Sequence, residues 1–218
     1  MDGLFYYHRF LYYYPMAPYI YYGTTFNTSD ITPENVLAAY TKGIFPMGDD
    51  NDTISWFDHE PRAVIPIGKS ETGLKISRSL KQILNKNTFI IKTDTAFTDV
   101  INACSVSHGT TWINGKMIEL YTELHKLGFA HSVEAWQDGK LAGGLYGIAY
   151  KSAFFGESMF HNVSNASKAA VVKLYETLSA NNFVLFDIQM MTPLFKSLGA
   201  IEISKQKYRE LLKKSITI

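Results

Sequence analysis

A chain of 218 residues has room for one or two domains and can bury enough surface to fold without a metal or disulfide staple. Hydrophobic residues make up 46% and charged residues 19%, which excludes a wholly disordered chain, and a net charge of +1 excludes a histone-like coat for nucleic acid. The single cysteine, Cys104, forms no internal disulfide and no Cys/His spacing suits zinc, so a reducing, cytoplasmic setting is expected.

Eight of the fourteen tyrosines fall within residues 6–22. That segment also holds His8, Arg9, Pro15 and Pro18, and no run of about 18 apolar residues occurs in the chain. It is expected to pack its rings on the domain surface, not to act as a leader or anchor. Thr32-Pro33 opens a helix that Gly43 closes, with Val36, Leu37 and Tyr40 on one face. The aromatic and proline-rich stretch 44–62 reads as irregular around a polar loop at 48–52. Pro66, Gly68 and Gly73 punctuate the following stretch, and a boundary there divides a small N-terminal domain, 1–65, from a larger one, 66–218.

The larger part alternates helix and strand patterns. Helix 77–85 turns Leu80, Ile83 and Leu84 inward, and strand 89–92 follows. Asp94 is placed to cap a helix carrying Phe97, Val100, Ile101 and Cys104, and helix 116–127 ends at Gly128. Strand 131–137, the hairpin dipeptide Asp138-Gly139 and strand 140–150 come next, and Lys151-Ser152 turns the chain into strand 153–160. Helix 166–180, a buried strand 183–189 and a helix 204–214 complete an α+β or mixed α/β pattern.

Asp187 and Gln189 lie two residues apart at the end of an apolar strand, hence on one face, and are costly there unless paired. They form either a structural hydrogen-bonded pair or a base (or ammonium anchor) beside an orienting amide. Glu157 and Ser158 interrupt the apolar strand Phe154-Phe155-Gly156-Glu157-Ser158-Met159-Phe160, where Gly156 permits a bulge. A buried acid there either holds a cross-strand salt bridge or has a perturbed pKa. Ser158 has no Gly-x-Ser-x-Gly elbow around it and is not a nucleophile. Lys75, Arg78, Lys81, Lys86 and Lys92 fall in a stretch without an acidic residue, which suits phosphate contacts or a solvated helix face. His131 and His161 lack a second ligand at metal spacing, and Trp112 sits in a loop where it either caps the core or stacks on a base.

Several segments resemble leucyl/phenylalanyl-tRNA–protein transferases. These are Leu37-Ala38-Ala39-Tyr40-Thr41-Lys42-Gly43-Ile44-Phe45-Pro46, Glu60-Pro61-Arg62-Ala63-Val64, Ile76-Ser77-Arg78-Ser79-Leu80 and His131-Ser132-Val133-Glu134-Ala135-Trp136. Gly143-Gly144-Leu145-Tyr146-Gly147, the Phe155–Phe160 hexapeptide, Asn165-Ala166-Ser167-Lys168, Asp187-Ile188-Gln189 and Ser197-Leu198-Gly199-Ala200 continue the match in family order. The resemblance implies a small N-terminal domain followed by a GNAT-like, acetyltransferase-type mixed α/β domain. It implies transfer of leucine or phenylalanine from aminoacyl-tRNA to an N-terminal arginine or lysine, marking the acceptor for N-end-rule degradation. Asp187, Gln189 and Glu157 match the family's catalytic set, and Trp112 matches an aromatic that stacks on the terminal adenosine. Met47 stands where the family has a second such aromatic, and is expected to offer an apolar face instead. Asn27-Thr28-Ser29 replaces a glycine pair common in the family.

On that resemblance Leu145, Phe154 and Met159 wall the pocket for the donor side chain, with Ser158 beside it, and Lys75, Arg78 and Lys81 contact the tRNA. The ester donor is already activated, so no cofactor or metal is expected, and the protein is expected to be a monomer. Two alternatives are a GNAT-type N-acetyltransferase using acetyl-CoA and a non-enzymatic tRNA-binding module. The stretch His161-Asn162-Val163-Ser164-Asn165, ahead of helix 166–180, has no glycine to cradle a pyrophosphate, which speaks against the first.

Overall fold

A computed structural model describes residues 20–21, 31–49, 51–68, 73–107 and 112–217. Nearly all of the tyrosine-rich segment and the whole of Asn27-Thr28-Ser29 lie outside the described residues. In chain order the elements are β1 (Ile20–Tyr21), α1 (Pro33–Tyr40), β2 (Phe45–Gly48), β3 (Ile54–Asp58), β4 (Arg62–Val64), α2 (Arg78–Asn85) and β5 (Ile90–Thr93). They continue with α3 (Phe97–Val106), α4 (Gly115–Lys126), β6 (Ala130–Gln137), β7 (Lys140–Tyr150), β8 (Ala153–His161), α5 (Ala166–Ala180), β9 (Leu185–Gln189), α6 (Pro193–Ser197), β10 (Ile201–Ile203) and α7 (Lys205–Thr217).

Local signals explain most of these. Thr32 caps α1 by accepting from the Asn35 amide, Pro33 occupies its first turn, and Gly43 leaves it at φ +79°. Asp138 and Gly139 take φ 51° and 73°, the left-handed pair that a tight hairpin between β6 and β7 needs.

Two expectations change. The 44–62 stretch contains three short strands, because Ile54, Trp56 and Asp58 alternate inward along β3. Pro46 is tolerated in β2 because β2 is an edge strand of the three-stranded antiparallel sheet β1-β3-β2. Asp94 does not cap α3. It accepts from the Ser132 amide and bonds His131, while the buried Glu134 of β6 accepts from the Thr95 and Ala96 amides at the helix start. The cap comes from across the sheet, beyond the reach of a local pattern. The short elements α6 and β10 also carry no periodic signal.

A seven-stranded sheet in the order β10-β4-β9-β8-β7-β6-β5 forms the centre. All neighbours are antiparallel except β8 and β9, which are parallel. On one face α3 and α4 join Tyr146, Ile148 and Phe155 in a core that also takes in Tyr40, Trp56 and Leu212. On the other, α5 covers Val133, Leu145, Phe154, Met159 and Phe186. β4 lies ahead of residue 65, yet it pairs with β9 and β10, and the first core joins residues from both sides of that point.

Two irregularities place the site. Tyr146 pairs with Ser158 but Gly147 pairs with Gly156, so Glu157 is the extra, bulged residue of β8. The parallel pairing of β8 with β9 ends at Phe155–Asp187. Beyond that point Glu157 stands where the two strands part.

Candidate active site

Strand alternation sends Phe186 and Ile188 to the α5 face and Asp187 to the opposite one. On the α5 face a pocket enclosing about 570 Å³ of empty space, counting the solvent at its mouth, has Leu145, Met159, Phe186, Ile188 and Phe195 among its walls. Gly156, Glu157 and Ser158 line it where the strands part. Leu145, Met159 and Ser158 all line this pocket. Phe154 is not a lining residue. It lies 2% exposed behind the wall, its ring edge-on to Phe186 at 5.6 Å, and Phe186 takes the position facing the cavity.

Asp187 is fully buried on the other face and saturated with donors. Arg62 Nε reaches Oδ1 at 3.0 Å and Nη2 reaches Oδ2 at 2.8 Å. Tyr208 Oη donates to Oδ2 at 2.7 Å and the Gln189 amide donates to Oδ1 at 2.9 Å. Arg62 is itself 1% exposed, flanked by the rings of Phe45 and Tyr208 at 5.0 and 4.5 Å. Burial opposes its charge, but Asp187, Tyr208 and Asp58 together outweigh that and hold the guanidinium protonated. The expectation that Asp187 anchors an incoming ammonium meets a carboxylate whose oxygens are already engaged.

Gln189 has φ +55° and is the centre of a tight turn in which the Met190 amide donates to the Ile188 carbonyl at 2.6 Å. Such a backbone costs on the order of 1–3 kcal/mol in a non-glycine residue. The bond from its own amide to Asp187 holds it there. Its Nε2 is buried without a hydrogen-bond partner among the described residues.

Glu157 is 6% exposed. Tyr40 Oη lies 2.6 Å from Oε1 and Tyr121 Oη lies 2.9 Å from Oε2, both within hydrogen-bond distance. Burial pushes the carboxyl up to about 7; the two phenol bonds pull it down part of the way and the Asp187 charge pushes it up again. Tyr146 packs edge-on to Tyr121 at 5.3 Å, and its buried hydroxyl has no hydrogen-bond partner among the described residues. Burial pushes the Cys104 thiol up to about 12, which leaves it an inert core group.

Arg62, Tyr208, Tyr40 and Tyr121 carry no role in the sequence analysis. A signal was present for Tyr40, which shares the apolar face of α1 with Val36 and Leu37: a phenol buried there must still satisfy its hydroxyl. Arg62 and Asp187 lie 125 residues apart, and nothing local pairs them.

Met47 is a correction. It is 5% exposed inside the first core and offers no face to a base. Trp112 is half-buried against the same core, its carbonyl accepting from the Gly48 amide at 2.9 Å. Lys75, Arg78 and Lys81 are exposed, the last two on α2, which Ser77 caps. Among the described residues no group of three His, Cys, Asp or Glu is arranged to hold a metal ion, and no helix is long and apolar enough to cross a membrane.

A mixed sheet whose β8–β9 pairing ends at an apolar pocket, with the buried acid Glu157 among the pocket's lining, forms the candidate site. Residues 69–213 match the family model described as leucyl/phenylalanyl-tRNA protein transferase, and residues 29–58 match the model for that family's N-terminal domain. Three relatives carry the name leucyl/phenylalanyl-tRNA–protein transferase. That of Nitrosospira multiformis is 46% identical over 190 residues, covering 86% of this chain and 80% of its own. That of Herpetosiphon aurantiacus is 43% identical, covering 87% and 96%, and that of Akkermansia muciniphila 44%, covering 85% and 96%. The chain belongs to the leucyl/phenylalanyl-tRNA–protein transferase family, a family of aminoacyltransferases.

Proposed function

We propose that this enzyme transfers leucine or phenylalanine from aminoacyl-tRNA to the N-terminal residue of acceptor proteins in the cytoplasm, with arginine or lysine as the acceptor. The observation that carries the reading is the apolar pocket opening beside Glu157, with Gln189 directly after the wall residue Ile188. A leucyl or phenylalanyl side chain loses water favourably against Leu145, Met159, Phe186 and Ile188, whereas a charged one would be stranded there.

The donor is an ester, so the enzyme needs to align an amine with a carbonyl and move protons; no cofactor or metal enters the step. Alignment alone can supply several kcal/mol of the barrier reduction. Gln189 acts on the donor carbonyl, its unpartnered Nε2 bonding the oxygen as charge develops there. Asp187 acts through it, as a positioning residue that pins the Gln189 turn. Trp112 supplies one stacking face for the terminal adenosine, and Lys75, Arg78 and Lys81 meet the acceptor-arm phosphates.

Three antiparallel strands, then α5, then a parallel strand that parts from its neighbour fit a GNAT-like arrangement for the larger domain, 66–218. An acetyl-CoA donor is disfavoured at the loop before α5. The Asn162 and Val163 amides are engaged by the Ala142 carbonyl at 2.8 and 3.0 Å, so neither is left for a pyrophosphate.

The test is transfer of radiolabelled leucine from leucyl-tRNA to peptides that differ only at residue one. Labelling of Arg- and Lys-initiated peptides is expected. Absence of labelling on every peptide, with acetyl transfer from acetyl-CoA in its place, would reject the assignment.

A further inference from the structure

Three short oxygen–oxygen contacts close a triangle at the parting of the strands. Tyr40 Oη lies 2.6 Å from Glu157 Oε1, Tyr121 Oη lies 2.9 Å from Glu157 Oε2, and the two phenol oxygens lie 2.6 Å from each other. Oxygens that close hold a proton between them; without one, lone pairs face lone pairs. Each tyrosine brings one proton, and burial, followed by the nearby Glu157, keeps both phenols protonated. Two protons do not serve three contacts. With the third on Glu157, each group donates once around the ring: Glu157 to Tyr121, Tyr121 to Tyr40, and Tyr40 back to Glu157.

The surrounding charges agree. From β4 Arg62 faces this centre and from β9 Asp187, but those two neutralise each other at 2.8 Å. Asp58 at the end of β3 is matched by Lys205 of α7 at 2.6 Å. From β7 Tyr146 contributes a neutral phenol, from α7 Tyr208 another, and from α3 Cys104 a neutral thiol. Burial and then Arg62 keep His59 from charging. Among the described residues no cation forms an ion pair with Glu157, so an ionised form would be an uncompensated buried charge.

We propose that Glu157 is a neutral acid in the resting enzyme, held in a closed ring by Tyr40 and Tyr121 as positioning residues, and that it serves as acid and base in a single step. The step rests on the transfer proposed above. As the acceptor nitrogen bonds to the carbonyl carbon and the ester C–O bond breaks, Glu157 gives its proton to the departing ribose oxygen and takes one from the nitrogen at its other oxygen. Amine and ester become amide and ribose hydroxyl, and the carboxyl ends as it began, so no co-reactant is required.

Infrared difference spectra of the full-length enzyme, wild type minus Glu157→Gln, test the proton without any substrate. A protonated-carboxyl carbonyl band is expected at pH 6, giving way to carboxylate bands at alkaline pH. Its absence at pH 6 would overturn the proposal while leaving the peptide-labelling result untouched; failure of labelling would reject the transfer reading with the band still present. Glu157→Gln can fill the ring but cannot exchange a proton, and should keep its circular dichroism while losing about a hundredfold or more in transfer rate. Near-wild-type transfer would remove the acid–base step. Tyr40→Phe takes away the bond to Oε1 that favours the carboxylate. In that variant the alkaline limb of the pH–rate profile should move to higher pH while kcat falls, and an unmoved limb would dismiss the positioning role.

Discussion

Asp187 and Arg62 form a buried pair in which both carboxylate oxygens are already engaged by the protein's own donors. The pair is bidentate, dry and closed by Tyr208, and its product is a fixed Gln189. Arg62→Ala leaves Asp187 buried without its counter-charge and should cost about 3–5 kcal/mol in chemical denaturation. Gln189→Ala removes an amide nitrogen that has no hydrogen-bond partner among the described residues. Its unfolding free energy should stay within about 1 kcal/mol of wild type, while kcat/KM falls about a hundredfold or more, the usual loss for one oxyanion donor. Glu157 contributes a pH dependence whose sign is set by burial. Its carboxyl titrates near 7 in the folded protein and 4.5 when unfolded. The native state therefore holds the extra proton between those values. Stability is greatest below pH 4.5 as far as this group is concerned, declines as pH rises through 7, and is lower by about 3 kcal/mol above it. Denaturation midpoints across pH 4.5–8 should show that decline in wild type and a flatter profile in Glu157→Gln.

At the scale of elements, the site exists because two neighbouring strands depart from regular pairing. The β8 bulge pushes Glu157 out of the ladder, and Gly147 opposite it makes the close approach possible. A Cβ on Gly147 would come within 2.3 Å of the Phe155 carbonyl oxygen and 2.6 Å of the Phe154 ring. On Gly156 it would meet nothing nearer than 3.5 Å. Gly147→Ala should therefore lower the thermal midpoint by several degrees, at about 2 kcal/mol or more, while Gly156→Ala stays within about 1 kcal/mol. Met47 is another element-scale case. Its place in β2 sets it in the core, so Met47→Trp overpacks that core and should cost about 1–3 kcal/mol, with no gain in binding a 3′-aminoacyl-adenosine analogue. Equilibrium unfolding and analogue titration on one sample would report both.

Over the whole molecule, the near-zero net charge makes tRNA binding a matter of local cations. Lys75, Arg78 and Lys81 are exposed. Charge-neutralising all three should flatten the log–log salt dependence of tRNA affinity by up to about 0.7–0.9 for each phosphate that is no longer neutralised. An unchanged slope would move the tRNA-binding surface to another basic stretch, such as the lysines of α7.

The sequence by itself determined the regular elements, because caps, left-handed turn residues and hydrophobic periods act within a few residues. Thr32-Pro33, Asp138-Gly139 and the helix at 166–180 were legible for that reason. It also singled out Asp187, Gln189 and Glu157, since polar groups in apolar strands demand an account. Tertiary structure alone decided their partners and therefore their chemistry. Arg62 meets Asp187 across 125 positions, Tyr40 meets Glu157 across 117, and Glu134 caps α3 from a strand some 38 residues on. Phe154 and Phe186 exchange the expected wall position because strand register, not residue type, selects which ring faces the cavity. A pattern read along the chain carries the need for a partner, but which partner fills it depends on distances that only folding creates.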